Sequence, residues 1–163
     1  MEKEFVSKVY SHIGILHKVC NSYFFNNPNK EDYFQEILIR LWKAYPHFKN
    51  QSSFSTWMYR VSLNSAIDIV RKNSIQPTMI ELSKIEFEIA NPNTLIASEE
   101  KDKLYRMINQ LDNTEKALTI MYLDGFTYEE IAHTMGLSKS NVGVKINRIK
   151  HKLIKISGNH ESK

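Results

Sequence analysis

A chain of 163 residues, 42% of them hydrophobic, has room and apolar surface for one ordinary domain or two small ones, which excludes large multidomain machinery and a wholly disordered chain. A single cysteine, Cys20, rules out an internal disulfide and any paired-cysteine zinc or redox motif. No apolar stretch approaches the ~18 residues of a membrane span, and the charged start MEKEFVSKVY does not suit a signal peptide, so a soluble cytoplasmic protein is expected.

Five Gly and four Pro, with no Gly between Ile15 and Asp124, make an all-α fold the expectation. Val6 to Phe25 reads as one amphipathic helix. Tyr33, Phe34, Ile37, Leu38, Leu41, Trp42 and Tyr45 then recur at the helical period, with Asn29 placed to cap the start and Pro46 to stop the end. The opposite face of that helix carries Asp32, Gln35, Glu36, Ile39, Arg40 and Lys43. Ser52 and Ser53 can cap a further helix that turns Phe54, Trp57, Met58 and Val61 inward and runs to Arg71-Lys72. Trp42 and Trp57 both lie on apolar stripes and are expected in the core. Residues 74–100 hold two of the four prolines and no sustained apolar period, so they read as a linker with a short helical piece near Ser83 to Ile89. The expected architecture is therefore two small helical domains, 1–73 and 101–163, joined by a 74–100 linker. Lobes this small bury too little to be comfortably stable alone, so mutual docking or a partner is expected to contribute.

The second lobe is more sharply punctuated. Asp112-Asn-Thr-Glu115 and Thr127-Tyr-Glu-Glu130 are capping boxes, Gly125 and Gly136 suit helix stops, and Ser138 can cap a last helix. That is helix-turn-helix spacing. Ile131, Ala132 and Met135 face inward on the short helix, and Val142, Ile146, Ile149 and Leu153 on the long one, which sends Ser140, Val144, Asn147, Arg148, His151 and Lys155 outward. Arg can reach guanine, Asn can pair with adenine and a Val methyl can pack on thymine, so this face suits base reading in a major groove. Lys139, Lys145 and Lys152, with the amides near Ser138 to Asn141, flank it for phosphate.

Charge supports this division. The chain carries +4 overall. Residues 1–73 hold ten Lys/Arg against six Asp/Glu, residues 74–100 one against five, and residues 101–163 eleven against seven. Two basic lobes on either side of an acidic connector suit a bipartite polyanion binder. From Ile131 to His160 no acid occurs, while Lys139, Lys145, Arg148, Lys150, Lys152 and Lys155 fall within seventeen positions. On charge alone, a solvated helix face accounts for that run equally well.

Two stretches carry a resemblance to a known family. Asp32-Tyr-Phe-Gln35-Glu36-Ile-Leu-Ile-Arg40-Leu-Trp42, then Ser52-Ser53-Phe54-Ser55-Thr56-Trp57-Met58-Tyr59-Arg60-Val61 with Asn64 and Asp68, resemble region 2 of extracytoplasmic-function (ECF) sigma factors. Tyr128-Glu129-Glu130-Ile131-Ala132, Met135-Gly136-Leu137-Ser138, Val142 and Arg148 resemble their region 4. The resemblance spans about Ile13 to Leu153. It implies core RNA polymerase and promoter DNA as partners, with an anti-sigma factor as a further one, and a monomer when free. It implies polymerase docking through Asp32, Gln35, Glu36, Ile39, Arg40 and Lys43. Minus-ten recognition falls to Ser52, Ser53, Thr56, Arg60 and Asn64. Minus-thirty-five recognition falls to Tyr128, Lys139, Ser140, Asn141, Val144, Lys145, Asn147 and Arg148. The chain departs from the family at Ser55 and Leu63, where basic residues are common, and at Asn141-Val142-Gly143-Val144-Lys145, so a minus-thirty-five sequence does not transfer.

No enzyme is expected, and no cofactor or metal. The six His lack metal-ligand spacing, adjacent Glu129 and Glu130 diverge by about 100° on a helix, and no Gly-rich phosphate loop occurs. The competing readings are a self-sufficient helix-turn-helix regulator whose first lobe dimerises or senses, and a pure protein-interaction module.

Overall fold

The computed structural model describes residues 1–75 and 95–161, and the regular elements among them are helical. They are α1 (Glu2–Ser11), α2 (Ile13–Phe24), α3 (Lys30–Ala44), a 3₁₀ turn at Tyr45–His47, α4 (Phe54–Ile75), α5 (Leu95–Asn109), α6 (Asn113–Leu123), α7 (Tyr128–Met135) and α8 (Lys139–Glu161). The all-α expectation holds. The helical piece expected near 83–89 lies outside the described residues.

The single helix expected from Val6 to Phe25 is instead two, broken at His12, whose φ of −120° and ψ of 15° leave the helix. The break keeps its hydrogen bonds: the His12 amide donates to the Val9 carbonyl, and Nδ1 lies 2.8 Å from the Lys8 carbonyl. It also folds α1 over the end of α3, where Phe5 sits 5.0 Å from Trp42 and 5.1 Å from Tyr45 between ring centroids. Asn29 stands at the start of α3 but makes no side-chain cap, because its φ of −95° and ψ of 11° are far from the extended geometry a cap requires. Ser53 does cap α4, accepting from the Thr56 amide at 3.2 Å.

Both capping boxes form. Asp112 accepts from the Glu115 amide at 2.8 Å and Thr127 from the Glu130 amide at 3.2 Å, while each glutamate reaches back to the amide of its cap. Gly125 (φ 86°) and Gly136 (φ 68°) turn the chain after α6 and α7 in the left-handed region that a side chain rarely adopts. Ser138 accepts from the Asn141 amide at 3.1 Å and starts α8, which continues as helix through Glu161.

Leu16, Val19, Ile37, Leu41, Met58 and Leu63 fill the core between α2, α3 and α4, and Ile108, Leu118, Met121, Ile131 and Ile146 fill that of α5–α8. Trp57 is partly buried as part of this packing, whereas Trp42 lies at its edge with 39% of its surface exposed, because it lines the open groove between α1 and α3 rather than the closed core. The lobes pack together: α2 lies against α3 and α4 on one side and α5 and α6 on the other. Tyr23 donates to the Asn113 carbonyl at 2.5 Å, and Lys116 lies 5.3 Å from the centre of the Tyr23 ring. The Tyr59 ring meets Phe126 edge-on at 5.2 Å. Its hydroxyl donates to Asp124 at 2.5 Å, and Asp124 also pairs with Lys18. Burial raises the Asp124 pKa, but the hydrogen bonds from Lys18 and Tyr59 outweigh it and hold the carboxyl below its ordinary value. Burial, then this carboxylate, push the Tyr59 hydroxyl upward. The two lobes are thus in direct contact, as their small size leads one to expect of them or of a partner.

Candidate nucleic-acid interface

α8 presents two faces set by its sequence period. Val142, Ile146 and Ile149 are buried against α6 and α7. Ser140, Asn141, Val144, Asn147, Arg148, His151 and Lys155 are exposed on the other side. The ring of half-buried Tyr128 lies where a Cβ at Gly143 would sit 3.5 Å away, an ordinary contact, so α7 and α8 approach closely at the turn.

The basic run on α8 is not uniform. Lys139 pairs with Glu129 at 2.9 Å, Lys152 with Glu115 at 2.5 Å, and Lys150 lies 4.8 Å from the centre of the Tyr122 ring. The Lys139 ammonium holds the Glu129 carboxyl below its ordinary range. Lys145 and Arg148 have no ion-pair partner among the described residues. An unpaired guanidinium beside Asn147, Val144 and Ser140 is the strongest feature of this surface, because none of its donors is committed among the described residues.

A second polar surface lies in the first lobe. Ser53 Oγ stands 3.0 Å from Ser55 Oγ and 2.9 Å from Thr56 Oγ1, and Ser52 Oγ donates to the Ser53 carbonyl at 3.3 Å. Thr56, Arg60 and Asn64 follow at four-residue spacing along α4, with Arg60 and Asn64 exposed, so hydroxyls, a cation and an amide form one stripe. The loop before it turns at Asn50, whose φ of 55° is left-handed. Phe48 and Phe54 close the ends of that loop at 5.8 Å between ring centroids. Sequence reading placed Phe54 inside but missed Phe48; the available signal was a pair of aromatics bracketing a polar segment.

Along α3, Asp32, Gln35, Ile39 and Lys43 are exposed, while Glu36 and Arg40 are half-buried. Arg40 reaches Glu36 at 2.6 Å and Asp68 of α4 at 3.5 Å, so it is held between helices rather than extended into solvent. Beside this face Phe5, Val6, Val9, Tyr10, Leu38, Ile39 and Trp42 line an apolar groove of about 310 Å³, and Ile39 belongs to both surfaces. Among the described residues no group of three or more His, Cys, Asp or Glu could hold a metal, and no helix is long and apolar enough to cross a membrane.

Residues 9–75 match the Sigma-70 region 2 family and residues 101–153 the Sigma-70 region 4 family. The chain is similar to the ECF RNA polymerase sigma-E factor of Escherichia coli K12, with 32% identity over 146 residues, 81% of this chain and 76% of that protein. It is likewise similar to the ECF RNA polymerase sigma factor SigM of Bacillus subtilis 168, with 30% identity over 125 residues, 76% of each. Among solved structures, its fold resembles the sigma factor RpoE in complex with the anti-sigma factor NepR from Bartonella quintana (TM-score 0.70, 16% identity, covering 96% of this chain and 98% of that one). It also resembles CnrH in complex with the cytosolic domain of CnrY (TM-score 0.69, 20% identity, 98% and 90%). With both regions matched in this order and relatives alike over most of their length, the chain belongs to the ECF RNA polymerase sigma factors.

Proposed function

We propose that the chain acts as a cytoplasmic, non-catalytic initiation subunit: it docks on core RNA polymerase through the α3 face, holds duplex DNA near minus thirty-five with α8, and captures an opened strand near minus ten with the loop and α4. The carrying observation is that a polar surface lies exposed on each lobe, the α8 face on one and the α4 stripe with its loop on the other, while Val142, Ile146 and Ile149 of α8 and Met58 and Leu63 of α4 are buried in the core. Arg148, Asn147, Val144 and Ser140 suit base edges, and Lys145 suits a phosphate. The hydroxyls of Ser52, Ser53 and Thr56 can donate or accept toward an unstacked base, which only a melted strand offers. Exposed Asp32, Gln35 and Lys43 beside Ile39 give a mixed polar and apolar patch of the kind a protein partner buries. An anti-sigma factor, as in the complexes of the similar structures, is a further partner. The chain is taken to be a monomer when free.

Footprinting tests the assignment. With core polymerase present, the chain is expected to protect an upstream duplex segment and make bases near minus ten reactive to a single-strand probe. Tight duplex binding by the chain alone, with polymerase changing neither signal, contradicts it and favours a self-sufficient regulator.

A further inference from the structure

The loop of residues 49–53 is held by a helix distant from it in sequence, α1. Phe48 and Phe54, which flank it, pack with Tyr45 and Trp57 into one cluster: Phe48 lies 5.1 Å and Phe54 5.3 Å from the Trp57 ring, and Tyr45 lies 6.1 Å from it. Over this cluster stands a single cation from α1. Lys8 Nζ is 5.7 Å from the Tyr45 centroid, 5.8 Å from Phe48 and 5.9 Å from Phe54, within the range where a ring face attracts a positive charge. Glu4, one turn earlier, fixes the ammonium at 2.8 Å, and His12 packs on Phe54 at 5.2 Å. The polar loop thus projects from a stalk whose two ends share one charge, and that charge sits on α1.

We propose that Lys8 is a positioning residue for strand capture: by drawing Phe48 and Phe54 together it holds loop 49–53, and with it the Ser52, Ser53 and Thr56 hydroxyls, in the geometry that receives an unstacked base. The proposal rests on the reading of this loop given above. Because α1 also lines the apolar groove beside α3, Phe5 and Lys8 connect the two surfaces through one helix: Phe5 touches Trp42 in the groove and Tyr45 in the cluster.

The test compares Lys8→Met, which keeps the stem but loses the charge, with Lys8→Arg, which keeps the charge. In the full chain, hydrogen exchange at amides 49–53 is expected to quicken in Lys8→Met and stay near wild type in Lys8→Arg. In the reconstituted holoenzyme, affinity for a single-stranded minus-ten oligonucleotide is expected to fall about two- to fivefold in Lys8→Met and to recover in Lys8→Arg. Affinity for core polymerase and for minus-thirty-five duplex should not change. Unaltered exchange and strand affinity in Lys8→Met overturn the proposal. So does quickened exchange spread equally through α1 and α3, which marks a general loss of stability. Ser53→Ala, run in parallel, separates the two claims: if exchange quickens in Lys8→Met yet neither variant alters strand affinity, the capture role of the loop fails while the hold of Lys8 on it stands.

Discussion

Arg148 carries the sharpest residue-level prediction because its guanidinium, on an exposed helix face, has no ion-pair partner among the described residues. Arg148→Ala is expected to weaken holoenzyme binding to the preferred minus-thirty-five duplex by about 1 to 3 kcal/mol. A loss of equal size on unrelated sequences, measured by competition, reduces the residue to a phosphate contact. Gly143 offers the complementary case. A Cβ there meets Tyr128 at an ordinary 3.5 Å and the position is helical, so Gly143→Ala should raise stability to urea by up to about 1 kcal/mol. A lower urea midpoint shows that the Tyr128 packing cannot yield. The outward set on α8 was legible from a helical wheel. The pairing of Lys139, Lys150 and Lys152 with Glu129, Tyr122 and Glu115 was not, since those partners lie on other helices and only the packing of α6 and α7 brings them near.

Elements were legible where the start and stop are both written in side chains. Asp112, Thr127 and Ser138 cap as their spacing implies, because a capping box depends on residues three apart and on nothing distant. Thr127→Ala should cost about 1 kcal/mol and locally quicken exchange in the first turn of α7, measured by amide exchange. Exchange unchanged at Glu129 and Glu130 contradicts a cap that matters. Asn29 shows the limit of the same logic. A capping residue type is not enough when the chain enters from a tight turn, here one in which the Asn29 amide donates to the Asn27 side chain at 2.9 Å. The break at His12 was hidden for a related reason: Val6 to Phe25 keeps its apolar period across it, and the contacts that go with the break, Phe5 on Trp42 and Tyr45, are distant in sequence.

At the scale of the whole molecule, the lobes meet along α2, and one charged site in that contact is Asp124, which joins Lys18 of α2 and Tyr59 of α4 to the turn before α7. Its depressed pKa fixes the sign of an acid effect. The stabilisation it gives is fully present above its unfolded value, about pH 4, and is lost as the pH falls through the lower folded value. Urea midpoints of wild type should therefore drop more steeply below pH 4 than those of Asp124→Asn, and parallel curves contradict the role. Small size made some docking foreseeable, but its residues were not, since Lys18, Tyr59 and Asp124 show no local pattern and lie up to 106 positions apart. What the chain does as a whole rests on both lobes steering a polymerase to chosen start sites. Mapping the 5′ ends of transcripts made by core polymerase on mixed promoter DNA tests this most directly. New, discrete start sites that arise only when the chain is added are the predicted result; the same starts with and without it contradict the account.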